Sequence, residues 1–249
     1  MSEISFQYKE LIRNPHRWLV TGAVGFIGSH LVKRLLSLEQ EVVGVDNFSS
    51  GSPANLPPSQ GRFKILTGDI RNSDDVRKAC EGVNCVLHHA AIGSVTKSFE
   101  DPILVDSINS GGTLTVLKGA ADAGATRFIY ASSSAVYGDA GNKPCVETQP
   151  LFPKSPYAIT KRTSEDYAAI LSTELNIATV GLRYFNIFGP HQDPNGHYAA
   201  VIPKWIGCLI KGEPVRMYGD GETVRDFCFI DDVVTANICA ALAPAEQVN

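Results

Sequence analysis

Apolar positions along this chain come in two alternating rhythms. Tyr8, Leu11 and Ile12 fall at helical spacing and predict a leader helix reaching about Arg13, which Pro15 ends. Short apolar runs then predict strands over 17–20, 41–45, 63–66, 83–87, 127–131 and 178–183, with helical periodicity between them over 26–36, 74–80, 103–123 and 157–174. Strand, helix, strand in steady succession predicts an α/β chain built on a doubly wound parallel sheet, because a parallel crossover needs a helix to return the chain. After Gly189 the pattern changes to loops, a helix over 200–210, short strands over 215–217 and 227–229, and a last helix over 231–242. This organisation predicts a main domain over 1–186 and a smaller region over 187–249.

Composition narrows the classes. The chain has 249 residues, 44% hydrophobic and 19% charged, enough to bury a substantial core. A net charge of −4 without a basic tract points away from nucleic acid. Apolar runs such as Cys85-Val86-Leu87 are too short to span a membrane, and Met1-Ser2-Glu3 does not open a signal peptide. A cytoplasmic protein is expected. Its six cysteines lack CxxC spacing and predict reduced thiols, with no metal site.

The first strand runs into Thr21-Gly22-Ala23-Val24-Gly25-Phe26-Ile27-Gly28. Gly22 permits a tight turn, Gly25 leaves room for a pyrophosphate, and Gly28 lets the helix pack close to the sheet, while the first helical amides around Phe26 and Ile27 face the anion. Asp46, followed by Asn47, closes the second strand, where a carboxylate accepts from a ribose 2′-OH and repels a 2′-phosphate. NAD is therefore expected over NADP. Asp69-Ile70 after the third strand either holds the adenine amino group or, through Asp69, caps the next helix. His88-His89-Ala90-Ala91 ends the fourth strand; Ala90 and Ala91 leave room for a dinucleotide, and the histidines read as satisfied strand-end residues rather than metal ligands.

Tyr157 and Lys161 stand four apart, at the spacing of one helical face. A free phenol titrates at about 10, so an ammonium one turn away and an oxidised nicotinamide favour its phenolate. Upstream, Phe128-Ile129-Tyr130-Ala131 ends in Ser132-Ser133-Ser134 at the carboxyl edge of the sheet, where ligands of open α/β sheets bind. Such a hydroxyl hydrogen-bonds a substrate oxygen whose proton the tyrosine takes.

With Val45-Asp46-Asn47, Gly68-Asp69-Ile70, Val136-Tyr137-Gly138, Ser155-Pro156-Tyr157, Leu182-Arg183-Tyr184-Phe185-Asn186, Ala200-Val201-Ile202-Pro203-Lys204-Trp205 and Arg225-Asp226-Phe227, these motifs make the chain resemble an extended short-chain dehydrogenase/reductase. It is most similar there to the bacterial UDP-N-acetylglucosamine 4-epimerases. The resemblance implies a Rossmann domain with NAD and a UDP-sugar substrate. It assigns Tyr157 as base, Lys161 to the nicotinamide ribose, Ser133 or Ser134 to the sugar O4, and Asn109 to the cofactor site. It places Ser94 and Asn186 against sugar or diphosphate, Val201 and Lys204 at uridine, and Arg225 at the diphosphate. The alternation of Phe227 and Phe229, which predicts a core strand, favours Arg225 as a phosphate-matched fork. The family continues past the point equivalent to Asn249, so a truncated sugar-nucleotide lid is expected over 187–249. A homodimer is implied through a four-helix interface of the helices over 103–123 and 157–174. Val24 is bulkier than the residue usual in that turn. Ala135 follows the serines where related dehydratases and decarboxylases carry acids, which favours epimerisation over elimination. The readings left open are an epimerase of UDP-glucose or UDP-glucuronate, a 4-reductase, and an NAD-binding protein without full activity.

Overall fold

The computed structural model describes residues 3–139, 141, 143–193, 200–217, 219–222 and 224–244, with side chains from Tyr8 onward. Six parallel strands, β1 (Arg17–Thr21), β2 (Glu41–Asp46), β3 (Phe63–Thr67), β4 (Cys85–His88), β5 (Arg127–Ser133) and β6 (Ala178–Tyr184), lie in the order β3-β2-β1-β4-β5-β6. The chain reverses direction across the sheet between β1 and β4. A crevice opens at that reversal, outside the carboxyl ends of the strands.

The helices fall on both faces because the strands are buried on both sides, as their unbroken apolar runs require. One face holds α1 (Glu3–Arg13), α2 (Phe26–Ser37) and α9 (Ile230–Leu242), packing Leu11, Leu31, Leu35, Ile230, Val234 and Ile238 on Trp18, Val20 and Ile129. The other holds α3 (Ser73–Ala79), α6 (Gly112–Asp122) and α7 (Pro156–Glu174), packing Val76, Val116, Leu117 and Ala168 on Leu19, Val86 and Phe128. Buried Gln40 ties the leader to the sheet: its carbonyl accepts from the Trp18 indole at 3.1 Å and its amide donates to Leu11 O at 2.9 Å. The segment after residue 186 is not one packing unit, since α9 belongs to the main core; residues 194–199 and 245–249 of it lie outside the described residues.

Three expectations need correction. The single helix over 103–123 is α5 (Pro102–Asp106), a π-turn (Ser107–Gly111) and α6, preceded by an unforeseen α4 (Val95–Glu100). Gly112 permits the close approach there: a Cβ on it would meet the Ile70 side chain at 2.4 Å, so the chain can run past Ile70 only without one. The strand over 215–217 is absent, as it finds no pairing strand among the described residues; the Arg216 carbonyl accepts from the Trp205 indole at 3.2 Å instead. The strand over 227–229 forms as β8 (Phe227–Phe229), parallel to β7 (Asn186–Phe188), but it is not in a core. Phe227 meets the Phe188 ring edge-on and Phe229 at a tilt, yet they stay 42% and 39% exposed.

Candidate active site

The crevice over the strand ends is a cavity of about 870 Å³. Its floor is the glycine turn. Gly22 has φ +67°, and a Cβ there would lie 2.8 Å from the Ala90 backbone. On Gly28 a Cβ would come within 2.1 Å of Gly22 O, so the start of α2 rests directly on the turn. Gly25 is the N-cap of α2 with no side-chain cap, and no acid occupies the first turn. Those amides face the cavity beside Phe26 and Ile27, leaving an anion site at the positive end of a helix dipole. Bulky Val24 is accommodated fully buried.

Asp46 does more than its position suggested. One carboxylate oxygen accepts from the Val24 amide at 3.0 Å and the other from the Phe48 amide at 2.8 Å, so it braces the glycine turn. Each oxygen keeps a lone pair for ribose hydroxyls, and Asp46 and Asn47 both line the cavity. Asp69 and Ile70 line it as well, and Asp69 does not cap α3. Asn72 takes that place, accepting from the amides of Asp74 and Asp75, while Asp69 pairs with Arg71 at 2.6 Å, and that hydrogen bond pulls its carboxyl below the usual range. Ala90 and Ala91 form the wall opposite.

At the far end the cavity meets Tyr157, Lys161 and Ser133. Ser155 caps α7, accepting from the Ala158 amide at 3.1 Å, and so starts the helix that carries Tyr157 and Lys161 one turn apart. Lys161 is 6% exposed and its ammonium donates to Ala131 O at 2.7 Å; burial pulls it down to about 8. Its nitrogen lies 5.9 Å from the centre of the Tyr157 ring. Burial raises Tyr157 above the ordinary phenol value, opposed by a hydrogen bond with Ser133. Lys161 beside it does not outweigh burial, and the expected phenolate requires the oxidised nicotinamide as well. Of the two candidate hydroxyls, Ser133 lines the cavity and Ser134 does not.

Asn109 is placed differently from expectation. Buried in the π-turn, its amide brackets the Ile92 backbone at 2.9 and 3.1 Å and donates to Thr160 at 3.1 Å. With its amide so engaged it holds the loop after β4 to α7, and it stands behind the cavity wall rather than in it. Ser94 lines the cavity and caps α4. Asn186, Val201, Lys204 and Arg225 do not line it. Asn186 donates to Asp226 O at 2.9 Å, Val201 and Lys204 sit on α8 (Val201–Lys211), which buries no residue, and the exposed Arg225 guanidinium folds onto Val224 O at 2.8 Å.

The histidines split. His88 is satisfied on both nitrogens, by Thr21 at 2.8 Å and Thr113 at 3.0 Å, and burial holds it well below the ordinary histidine value. His89 reaches Tyr184 OH at 3.1 Å through Nε2, while its Nδ1 is buried without a partner; burial holds it down at about 3. Both stay neutral at pH 7. No cluster of three metal-ligating side chains exists among the described residues. Sequence reading gave no site role to Glu165, Arg183, Tyr184 or Gln192 and left His89 a satisfied strand-end residue; Arg183 and Tyr184 stood in a quoted motif, and Glu165 falls at i+8 from Tyr157 on the same helical face.

The comparisons agree with this geometry. A model of the NAD dependent epimerase/dehydratase family matches residues 18–249. A putative UDP-glucose 4-epimerase of Methanocaldococcus jannaschii is 36% identical over 93% of this chain and 75% of its own length. A solved UDP-N-acetylglucosamine 4-epimerase from Methanobrevibacter ruminantium, in complex with UDP-N-acetylmuramic acid, is 38% identical with a TM-score of 0.87, covering 93% of this chain and 73% of that one. The dTDP-glucose 4,6-dehydratase DesIV of Streptomyces venezuelae, solved with NAD bound, is 33% identical with a TM-score of 0.84, covering 92% and 72%. The uncapped α2 terminus, the side-chain-free turn and the carboxylate ending β2 fit a dinucleotide, and the chain belongs to the NAD-dependent epimerase/dehydratase family, as an enzyme whose cofactor is NAD.

Proposed function

We propose that the chain is a 4-epimerase interconverting UDP-N-acetylglucosamine and UDP-N-acetylgalactosamine through a 4-keto sugar. The observation that carries this reading is the acid–base content of the cavity. Among the described residues, Asp46 and Asp69 are the only carboxylates lining it, both beside the ends of β2 and β3, and Ala135 follows the serines. Elimination needs an acid to protonate a departing hydroxyl; among the described residues no carboxylate lines the cavity beside Tyr157. Gly22, Gly25, Phe26, Ile27 and Gly28 hold the pyrophosphate, Asp46, Asn47, Asp69 and Ile70 the adenosine, and Ala90, Ala91 and Lys161 the nicotinamide half. When bound, NAD supplies the acceptor and later the donor of the C4 hydride. Ser133 hydrogen-bonds O4, Tyr157 takes the O4 proton and gives it back, and Lys161 offsets the phenolate charge. A positively charged nicotinamide adds to that offset, opposing the burial that raises the phenol. Residues 187–249 contribute to sugar-nucleotide binding; Ser94, on the cavity wall, meets the nucleotide sugar, and Asn186, Val201, Lys204 and Arg225, which stand outside it, would have to turn inward to do so.

The M. jannaschii relative keeps plain UDP-glucose as a second reading. Incubating the NAD-loaded protein separately with UDP-N-acetylglucosamine, UDP-glucose and UDP-glucuronate and resolving products by NMR tests both. C4 inversion of the acetylated sugar is expected. Loss of water or carbon dioxide, or reduced cofactor with no inverted sugar, refutes epimerisation.

A homodimer is proposed on α4, α5 and α7. Phe99, Ile103 and Ile170 stand 63%, 82% and 68% exposed there, large apolar side chains of the kind that mark an interface where they lie together.

A further inference from the structure

Three consecutive residues at the end of β5 are gripped by three successive turns of α7. Ser133 pairs with Tyr157, Ala131 O accepts from Lys161 at 2.7 Å, and Ser132 Oγ donates to Glu165 Oε1 at 2.5 Å. Residues 157, 161 and 165 lie at i, i+4 and i+8 and share one helical face. Two of these pairs are the reaction centre. The third is not: neither Glu165 nor Arg183 lines the cavity.

Glu165 is nevertheless held by an elaborate set of bonds. Arg183, opposite Ser132 in the sheet register, binds it as a fork, with Nε at 2.8 Å from one oxygen and Nη2 at 2.9 Å from the other. The remaining guanidinium nitrogen donates to Tyr137 OH at 3.2 Å and Glu147 O at 3.0 Å, and the guanidinium stacks over the Tyr137 ring at 4.9 Å. The Arg183 and Glu165 side chains keep only 20% and 13% of their exposure. A largely buried ion pair is a weak source of stability, since apolar residues of the same volume serve as well or better. What apolar residues cannot supply is a directed acceptor for Ser132.

That acceptor matters because Ser132 sits between the two backbone positions that serve catalysis. A rotation of the strand end at Ser132 swings Ala131 O away from Lys161 and Ser133 Oγ away from Tyr157 together. We propose that Glu165, braced by Arg183 and gripping Ser132, is a positioning residue that holds Ser133 and Lys161 in register with Tyr157. It acts through Ser132 and meets neither cofactor nor sugar. This rests on the reading of Tyr157 as the base.

The test reads Tyr157 directly, without turnover. In NAD-loaded protein, the phenolate absorbance of the native chain minus that of Tyr157→Phe titrates this tyrosine alone. Ser132→Ala and Arg183→Lys both preserve formal charge, so neither alters the phenol through a lost charge; Arg183→Lys forfeits only the two-pronged grip. The Ser133 bond favours the phenolate, so loosening it should raise the Tyr157 midpoint in both variants by roughly half to one unit, a three- to tenfold loss of phenolate near neutrality. NAD affinity should stay within about twofold, and Ser132→Thr, which keeps the hydroxyl, should restore the midpoint. An unchanged midpoint in both folded variants overturns the proposal. So does failure of both to fold or to hold NAD, because the network is then architectural. Were Tyr157 not the base, Tyr157→Phe would retain UDP-sugar turnover while the midpoints stayed readable, so the two failures are separable.

Discussion

Replacing Gly25 and Gly28 separately by alanine should divide cofactor binding from folding, because each glycine is needed for a different close approach. On Gly28 a Cβ would meet Gly22 O at 2.1 Å, Gly22 C at 2.8 Å and Ala23 Cα at 3.0 Å, all backbone atoms that cannot swing aside. Relieving such overlap costs about 1–3 kcal/mol, here at the upper end, against about 1 kcal/mol recovered from alanine's better helix propensity. The net loss of about 2 kcal/mol corresponds, for a chain of this size, to a Tm lower by roughly 4–8 °C. Gly25 is different: its φ of −69° suits alanine, and the one atom near its added Cβ is Gly22 O at 3.1 Å. Gly25→Ala should melt within about 2 °C of the parent. Its methyl would, however, stand among the uncapped amides of α2, displacing a phosphate from two charge-assisted bonds worth about 1.5–3 kcal/mol each. Losing one or both raises the NAD Kd by about one to four orders of magnitude. Calorimetric NAD titration beside thermal melts reads both quantities. An unchanged Kd in Gly25→Ala would refute the amide cradle as the phosphate site, and an unchanged Tm in Gly28→Ala would refute the close contact of helix and turn.

Tyr157→Phe should bind NAD almost normally yet form no reduced cofactor on addition of a UDP-sugar, because the proton on O4 then has no acceptor; undiminished absorbance at the reduced nicotinamide band would remove Tyr157 from that role. Titrations should show NAD bound at least tenfold tighter than NADP, since a 2′-phosphate would face the Asp46 carboxylate; equal affinities would mean that Asp46 does not meet the ribose. Acid should weaken the fold from an unusually high pH. His89 is held down to about 3 by burial and His88 also lies well below 6.5, so the unfolded chain takes up protons that the native one refuses. Their contribution is complete above about 6.5 and is lost as pH falls toward 3. His89→Gln should flatten the Tm profile between pH 7 and 5, and an unaltered slope would count against it. Finally, Ile103→Glu should convert a dimer into monomers in sedimentation while leaving Tm little changed, and a monomeric parent chain would dismiss the proposed interface.

Much of this protein was legible without coordinates, and for a physical reason: strand and helix periods, glycine at turns and a carboxylate at a strand end are local signals written within a few residues. They determined the parallel sheet, the glycine turn beneath the cofactor, and the pairing of Tyr157 with Lys161 across one helical turn. What tertiary structure alone decided depends on residues far apart in the chain. Ser133 rather than Ser134 meets Tyr157 because β5 ends one residue before its 3₁₀ turn. Asn109 became a bracket because it sits in a π-turn whose following glycine, Gly112, packs on Ile70, and there it meets Ile92 and Thr160. Burial raises Tyr157, because desolvation follows from how many layers cover a group, and no spacing rule reports that. Phe227 and Phe229 alternate like a core strand but remain exposed, since alternation states which side chains share a face and says nothing of what covers it. Arg183 and Glu165 stand 18 residues apart in sequence, and only the pairing of β6 with β5 and the packing of α7 bring guanidinium, carboxylate and the Ser132 hydroxyl to one point.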